Sequence, residues 1–408
     1  MKKTTTKKPA SVRKADVCVV GGAGHVGLPL ALVFADKGLR VVVYDINRDS
    51  LRRIRKGVLP FMEQGGEALL KKALKGGNLL FSSDPRDIAG VTTVVVTIGT
   101  PVDEFMNPDT KVMKHCFDDL LPNLTDGQLV VLRSTVYPGT TQWLESYLKS
   151  QGRKLKIAFC PERVVQGHAI EELQRLPQIV SGTTKESESE AARLFERVAP
   201  SVVRLSPLEA EFAKLFNNAY RYVQFAVSNQ FFMIAHSAGA DYARILEGMK
   251  KDYPRAADMP GAGFAAGPCL FKDTMQLAAF SDNNFSLGHA AMTINEGLVL
   301  YMVGQMEKKY DLKNLTVGLL GMAFKANSDD TRASLSYKLK KVLAFHCRRV
   351  LTADPHVTTD AELLPVEEVV KKSDVLILCV PHKAYRALET KGKPLVDIWG
   401  FFGKGVRI

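Results

Sequence analysis

Cys269 stands in residues 261–273, GAGFAAGPCLFKD, with Lys272 and Asp273 directly behind it. Small residues around it let a ligand approach the backbone closely and permit dihedrals that larger side chains forbid. A thiol held there can attack a carbonyl once nearby positive charge or an acid/base partner raises its thiolate fraction. Alone, such a cysteine reads better as packing in a tight loop. A second chemical feature changes that reading. Gly22-Ala23-Gly24-His25-Val26-Gly27 is followed by Asp45, eighteen residues past the last glycine. These glycines allow a tight turn and the approach of a pyrophosphate to a helix N-terminus. A carboxylate at Asp45 would accept hydrogen bonds from the adenosine ribose hydroxyls and repel the extra phosphate of NADP, so NAD is the expected cofactor. Arg48 is expected to cover the adenine. A hydride acceptor plus a nucleophilic thiol is the equipment for oxidising an alcohol or aldehyde through a thioester.

The elements that must position these groups follow from the apolar pattern. Residues 16–22 read as a buried strand turning at glycine into a helix from about Val26 to Lys37, with a strand over 40–45. Apolar runs recur at 92–98, 128–133 and 156–160, separated by helix-length amphipathic stretches. Strands alternating with helices predict a parallel doubly wound sheet. From Leu208 to about Lys309 the pattern becomes helical, opening on a helix of roughly thirty residues. This all-helical region is expected to break at 248–267 for the cysteine loop. Phe212, Phe216, Tyr220, Phe225 and Phe231 read as packing residues, and apolar character on more than one face suggests a homodimer through this region. A second α/β unit starts at Leu315: LTVGLLGMAFK repeats the strand-then-glycine logic of VCVVGGAGHVG, and RRVLTADPHV echoes RVVVYDINR. The second glycine loop lacks the full spacing, so it is expected to bind a different nucleotide. The expected divisions are a disordered basic tail (1–15), an NAD-binding domain (16–207), a helical central domain (208–309) and a second Rossmann-like domain for a different nucleotide (310–408).

Composition narrows the function classes. Of the net charge of +12, six units come from Lys2, Lys3, Lys7, Lys8, Arg13 and Lys14. The rest forms no basic stripe and accompanies no nucleic-acid motif, so an anionic small substrate is expected and nucleic acid is not. No apolar run reaches the ~18 residues of a membrane span, and the basic N-terminus lacks the apolar core of a secretory signal. A cytoplasmic protein is expected. The six cysteines show no paired metal-ligand spacing, and Cys18 and Cys379 sit inside apolar runs as core residues. Neither disulfides nor a metal site is expected.

Several ordered motifs then coincide: the glycine fingerprint, TIGTP from Thr97, STVYPGTT from Ser134, Pro161-Glu162-Arg163, the helix with Lys214 and Asn218, GFAAGPCLFKD, GMAFK from Gly321 and DTR from Asp330. Together they resemble the nucleotide-sugar 6-dehydrogenases of the UDP-glucose/GDP-mannose dehydrogenase family, from about Asp16 to the C-terminus. The resemblance implies two Rossmann-like domains joined by a long helix and an all-helical middle domain, and it makes the ligand of the second (310–408) a UDP-sugar. It implies two NAD-dependent oxidations of a sugar C6 hydroxyl to a uronic acid, with Cys269 as the nucleophile that forms a thiohemiacetal and then a thioester. Asp273 matches an aspartate that helps position water, Lys214 and Asn218 match groups that stabilise oxyanion charge, Glu162 matches the base for thioester hydrolysis, and Thr135 matches a residue near the nicotinamide. Thr100, Pro101 and Arg332 match cofactor-facing positions, with a surface salt bridge as the other reading of Arg332. Arg163, Gly263, Phe264, Phe324 and Lys325 match substrate-binding positions, and Arg255 matches an arginine that reaches a neighbouring subunit's substrate.

This chain departs from the family pattern at Ala265-Ala266 and Leu270, where many members carry a glycine pair and an aromatic residue. Gln166 stands where UDP-glucose enzymes carry a second acid. Pro-Glu-Arg looks like the N-acetylhexosamine branch, whereas Lys272-Asp273 looks like the glucose branch, so the sugar stays open. Two other readings compete: a single-step NAD-dependent hydroxyacid dehydrogenase with a structural cysteine, and a non-catalytic NAD-binding scaffold.

Overall fold

The computed structural model describes residues 15–103, 110–403 and 405–408. The expected tail over 1–15 lies outside the described residues except for Ala15, which is buried. The chain divides into two compact units, Met1–Lys214 and Leu215–Ile408.

The first unit is built on an eight-stranded sheet of β1 (Val17–Val20), β2 (Val41–Tyr44), β3 (Leu79–Ser82), β4 (Thr93–Val96), β5 (Leu129–Leu132), β6 (Lys156–Phe159), β7 (Gln178–Gly182) and β8 (Val202–Arg204). Its order is β3-β2-β1-β4-β5-β6-β7-β8. β1, β2, β4 and β5 are buried at every residue, and their valine-rich runs do not alternate, as expected of parallel strands covered on both faces. β1 pairs in parallel with both β2 and β4, so the winding reverses there and leaves a crevice at the strands' carboxyl ends. The helix Gly27–Asp36 is apolar nearly all round and packs Leu28, Leu30 and Phe34 against Val19 and Val43.

One detail departs from the wholly parallel sheet expected from sequence: β7 runs antiparallel to β6. The intervening residues do not return along the sheet. They carry a short helix, Ala169–Arg175, onto the core of helix Gly27–Asp36 through Ile170 and Leu173. Glu63 holds that excursion by accepting the N–H groups of Gly167 and Ile170 at 3.1 and 3.0 Å.

The long helix Pro207–Ser237, 31 residues, carries the chain from the first unit into the second. In the second unit, helices Tyr242–Lys250, Leu270–Phe280 and Ser286–Lys309 precede a four-stranded sheet of β9 (Thr316–Leu320), β10 (Arg349–Ala353), β11 (Val375–Leu378) and β12 (Leu395–Val396). The order is β10-β9-β11-β12, all parallel. Phe232, Leu298, Val299 and Met302 from the helices share a core with Val317, Leu319 and Ile377 of this sheet. The expected break at Gly248 falls later, because Gly248 lies inside helix Tyr242–Lys250. Asp241 caps that helix by accepting the Ala243 N–H at 2.9 Å, and buried Tyr242 anchors it, which offsets the ~1 kcal/mol that an interior glycine costs. Cys18 and Cys379 are fully buried core residues, as expected.

Candidate active site

Within the first unit, the sequence-predicted cofactor residues gather at the carboxyl ends of β1, β2, β4 and β5. A Cβ on Gly27 would lie 2.5 Å from the Gly21 carbonyl oxygen, and one on Gly22 2.6 Å from that of Val19, so the turn closes only with glycine. Helix Gly27–Asp36 starts at Val26 with no side-chain cap and no acid in its first turn, which leaves its positive end for an anion. Asp45 follows β2 and accepts N–H groups from Ala23 (3.0 Å) and Asn47 (2.8 Å), so its carboxylate sits at the glycine turn while remaining half-buried. His25 stacks on Phe61 with ring centroids 4.1 Å apart. Beyond β4 and β5, the Thr100 hydroxyl donates to the Thr135 carbonyl at 2.6 Å, and Ser134 donates to the Ile98 carbonyl at 2.6 Å. Gly24 stays within the turn, Pro101 is exposed, and Arg48 is exposed at the start of helix Arg48–Arg55. The glycine cradle, the uncapped helix and a carboxylate at the end of β2 are the donor and acceptor set that a dinucleotide requires, so the residues present fit NAD.

Glu162 lies on the segment after β6 in the same unit and accepts the Val164 N–H. That segment rests on a group the sequence did not single out. Arg133, at the end of β5, is 1% exposed and donates from Nη1 to the Cys160 carbonyl (3.1 Å) and to Gln178 Oε1 (3.0 Å). Gln178 in turn donates to the Pro161 carbonyl at 3.0 Å. Burial pushes the Arg133 guanidinium below its ordinary pKa. Arg163 is half-buried and donates to the Pro177 carbonyl. Lys214 is buried on the long helix, and three residues earlier Glu211 accepts from Gly139 N (2.6 Å), Thr141 N (2.8 Å) and Thr141 Oγ1 (2.6 Å). A fully buried carboxylate thus caps the helix Thr140–Ser150 from a distance and ties the STVYPGTT segment to the long helix.

Within the second unit, Cys269 is exposed at the N-cap position of helix Leu270–Phe280. One turn on, the Asp273 N–H donates to the Cys269 carbonyl at 2.8 Å. Asp273 is fully buried; its Oδ2 accepts from Asn218 Nδ2 at 2.5 Å, and Lys272 Nζ stands 3.3 Å from Oδ1. Gly267, with φ +105°, donates its N–H to the Ala333 carbonyl at 3.2 Å, and a Cβ there would lie 2.6 Å from the Phe324 ring. Phe324 N–H donates to the Asp330 carbonyl at 2.8 Å, so the cysteine, GMAFK and DTR segments meet. Asp330 pairs with Arg332 through two oxygens and holds its guanidinium charged. Lys325 places its ammonium 5.8 Å from the centroid of the Phe324 ring. Gly263 and Phe264 are buried beside Trp399 rather than at the surface with Cys269. Arg255 is exposed on the turn Pro254–Ala256 and donates to the Tyr253 hydroxyl at 2.8 Å.

The predicted residues therefore assemble as two groups. Glycine turn, Asp45, Thr100, Thr135, Glu162 and Lys214 belong to the first unit; Asn218, Cys269, Asp273, Phe324, Lys325 and Arg332 belong to the second. Sequence reasoning missed Arg133 and Glu211. The available signal was a charged residue inside an otherwise apolar strand or helix, which is costly to bury unless partnered.

Residues 15–199 match the model of the UDP-glucose/GDP-mannose dehydrogenase family, NAD binding domain; residues 208–297 match the central domain of that family and residues 318–404 its UDP binding domain. A UDP-N-acetyl-D-mannosamine dehydrogenase of Pyrococcus horikoshii is 28% identical over 95% of this chain and 92% of that protein. Among solved structures, UDP-D-ManNAc dehydrogenase from Pyrococcus horikoshii is 27% identical, with 93% of each chain covered and a TM-score of 0.86. A UDP-glucose dehydrogenase from Pyrobaculum islandicum is 26% identical, with 96% of each chain covered and a TM-score of 0.86.

Proposed function

The chain belongs to the UDP-glucose/GDP-mannose dehydrogenase family and is an NAD-dependent oxidoreductase, and from that premise we propose that it oxidises the C6 hydroxyl of a UDP-N-acetylhexosamine to the carboxylate. The mannosamine sugar is the first candidate, supported by the similarity to UDP-N-acetyl-D-mannosamine dehydrogenases and by Pro161-Glu162-Arg163 with Gln166 in place of a second acid. NAD, when bound, takes up two electrons and one proton equivalent from C6 in each of two oxidations. The first leaves an aldehyde. The Cys269 sulfur adds to its carbonyl carbon, and the resulting thiohemiacetal is oxidised to a thioester. Water then attacks the thioester carbon, the C–S bond breaks, and the uronate and the thiol are released.

The observation that carries this reading is the exposed thiol of Cys269 at a helix N-terminus, one turn from an Asp273 that Asn218 and Lys272 hold in place. A thiolate there faces the positive end of the helix dipole, which favours the nucleophilic form. Asn218 offers an amide donor and Lys214 an ammonium, both suited to an alkoxide-like oxygen at C6. Glu162 is assigned the base that activates water, with Thr135 at the nicotinamide end of the cofactor crevice. Phe324 and Lys325 are assigned to the substrate nucleotide, and Arg332 to the cofactor.

The same reading divides the chain at about residues 207 and 309 into NAD-binding, helical and nucleotide-sugar-binding parts, in line with the three matched domains. It pairs two copies through the long helix, where Tyr220, Val227, Phe231 and Ile234 fall on one face and are exposed by 65%, 41%, 42% and 59%. No helix among the described residues is long and apolar enough to cross a membrane, and the reading places the enzyme in the cytoplasm.

Counting NADH per sugar tests the mechanism across UDP-N-acetylmannosamine, UDP-N-acetylglucosamine, UDP-glucose and GDP-mannose. Two NADH and one uronate per substrate are expected, with no uronate from Cys269→Ala, which should still bind NAD. A stoichiometry of one would favour a single-step dehydrogenase, and full uronate production by Cys269→Ala would overturn the thioester route.

A further inference from the structure

Gly263 lies six residues before Cys269, buried in a loop and paired with no strand. A side chain there would meet the Trp399 ring at 2.2 Å, so the loop follows a path that only glycine permits. Buried backbone groups outside a sheet must find partners, because each one left unpaired costs about 1–3 kcal/mol. One side chain supplies both. Asn229, on the long helix, accepts the Gly263 N–H on Oδ1 at 2.9 Å and donates from Nδ2 to the Gly263 carbonyl at 3.0 Å. It serves Gly263 as the edge of a strand would.

The orientation of Asn229 is itself held. Its second Nδ2 hydrogen goes to Asn295 Oδ1 at 2.9 Å, on helix Ser286–Lys309, and Asn295 Nδ2 donates to the Tyr222 carbonyl at 3.0 Å. Exchanging the oxygen and nitrogen of Asn229 would set donor against donor at Gly263. Both asparagines are fully buried. Two buried amides add nothing to helix packing that apolar residues of the same size would not, and burying them is costly unless their hydrogen bonds are made. Their bonds all lead to the cysteine loop or brace the side chain that holds it. Gly267 forms a second attachment through its bond to Ala333, so the loop is fastened on both sides of residues 264–266 before it reaches the thiol.

We propose that Asn229 and Asn295 are positioning residues that fix the loop carrying Cys269 and so set the line along which its sulfur meets the C6 carbonyl. The inference rests on the reading of Cys269 as the nucleophile. Asn229→Ala removes both bonds to Gly263, and Asn295→Ala keeps them but releases the brace. Three quantities are read on the full chain: hydrogen–deuterium exchange of the peptide covering 261–269, the affinity for NAD, and kcat with KM for the UDP-sugar.

In Asn229→Ala, exchange over 261–269 should rise at least about tenfold while β9 is unchanged. NAD affinity should stay within twofold, and kcat should fall about ten- to a hundredfold with KM altered less than threefold. Asn295→Ala should follow in the same direction with smaller changes. Unchanged exchange, or faster exchange with unchanged kcat, would overturn the proposal. So would failure of both variants to fold, since the pair would then serve the core rather than the loop. Exchange is read without substrate, so an enzyme that oxidised none of the sugars would refute the proposed function, while the exchange rates would still show whether the two asparagines hold the loop.

Discussion

The two α/β units place an aspartate in the same position and use it in opposite ways. Asp45 follows β2, and Asp354 follows β10, each just past the second strand of its sheet and each accepting N–H groups from the turn after the first strand. Asp45 takes one bond from that turn, through Ala23, and one more from the Asn47 N–H just after it. Asp354 takes four backbone N–H groups, from Met322 (2.6 Å), Ala323 (2.9 Å), His356 (2.8 Å) and Val357 (3.1 Å), and its side chain is 0% exposed. His382 closes the set. Its Nδ1 accepts the Asn327 N–H at 2.9 Å, so the ring proton sits on Nε2 and points at Asp354 Oδ2, 3.1 Å away. A carboxylate with every lone pair engaged cannot read a ribose. The first unit keeps its aspartate available to a ligand, and the second has turned the equivalent residue into a knot that holds its loop.

Four measurements test this difference between the two aspartates and their units. The largest effect is expected from Asp354→Asn, which sets an amide against buried donors and should cost about 3–5 kcal/mol in denaturant unfolding. Asp45→Asn should cost about 1 kcal/mol or less. Equal losses would show that both aspartates are structural.

Lys325→Ala comes next. Loss of a charge-assisted contact is worth about 1.5–3 kcal/mol, which is roughly ten- to a hundredfold in KM for the UDP-sugar, with NAD affinity little changed. Weaker NAD binding with unaltered sugar binding would reverse the assignment of the two units.

Asp45→Ala should narrow the preference for NAD over NADP by about tenfold, about 1.4 kcal/mol, in paired binding titrations. An unaltered preference would place the cofactor's ribose elsewhere.

The smallest effect is a pH slope confined to the second unit. Burial, then the neighbouring His382, hold the His356 pKa below its ordinary value of about 6.5. The unfolded chain therefore takes up a proton that the folded one resists, and stability should fall as pH drops below about 6.5. His356→Gln should flatten that slope by up to about 1 kcal/mol between pH 7 and pH 5. Asp354 contributes nothing to it. Burial pushes its carboxyl up, but His382 and the backbone donors outweigh that and bring it well below the carboxylate range, so its stabilisation is lost only in stronger acid. A slope unchanged in His356→Gln would assign the effect to another group.

Much of the molecule was legible in the sequence because its signals are local. Valine runs bounded by glycine mark β1, β2 and β4, and the spacing from Gly27 to Asp45 is the length of one helix and one strand, so the NAD-binding half could be read from order alone. The helix Pro207–Ser237 was equally plain, since roughly thirty residues without an internal proline keep a helical apolar period. Cys269 and Asp273 were marked by composition and by four-residue spacing.

The tertiary structure decided which polar groups are partnered. Asp354 and Asp45 each follow an apolar run; the difference comes from His382, twenty-eight residues away, and from the second N–H that the turn after β9 offers Asp354. The reversal of β7 depends on where Ile170 and Leu173 find a core. Asn229 and Asn295 look like tolerated polar residues on two apolar helices, and only packing brings them to Gly263. Local pattern specifies which residues form helices, strands and glycine turns, because backbone sterics and hydrophobic periodicity act over a few residues. Whether a buried polar group is a ligand's partner or the fold's own depends on hydrogen bonds that close over tens of residues, and those exist only once the chain has folded.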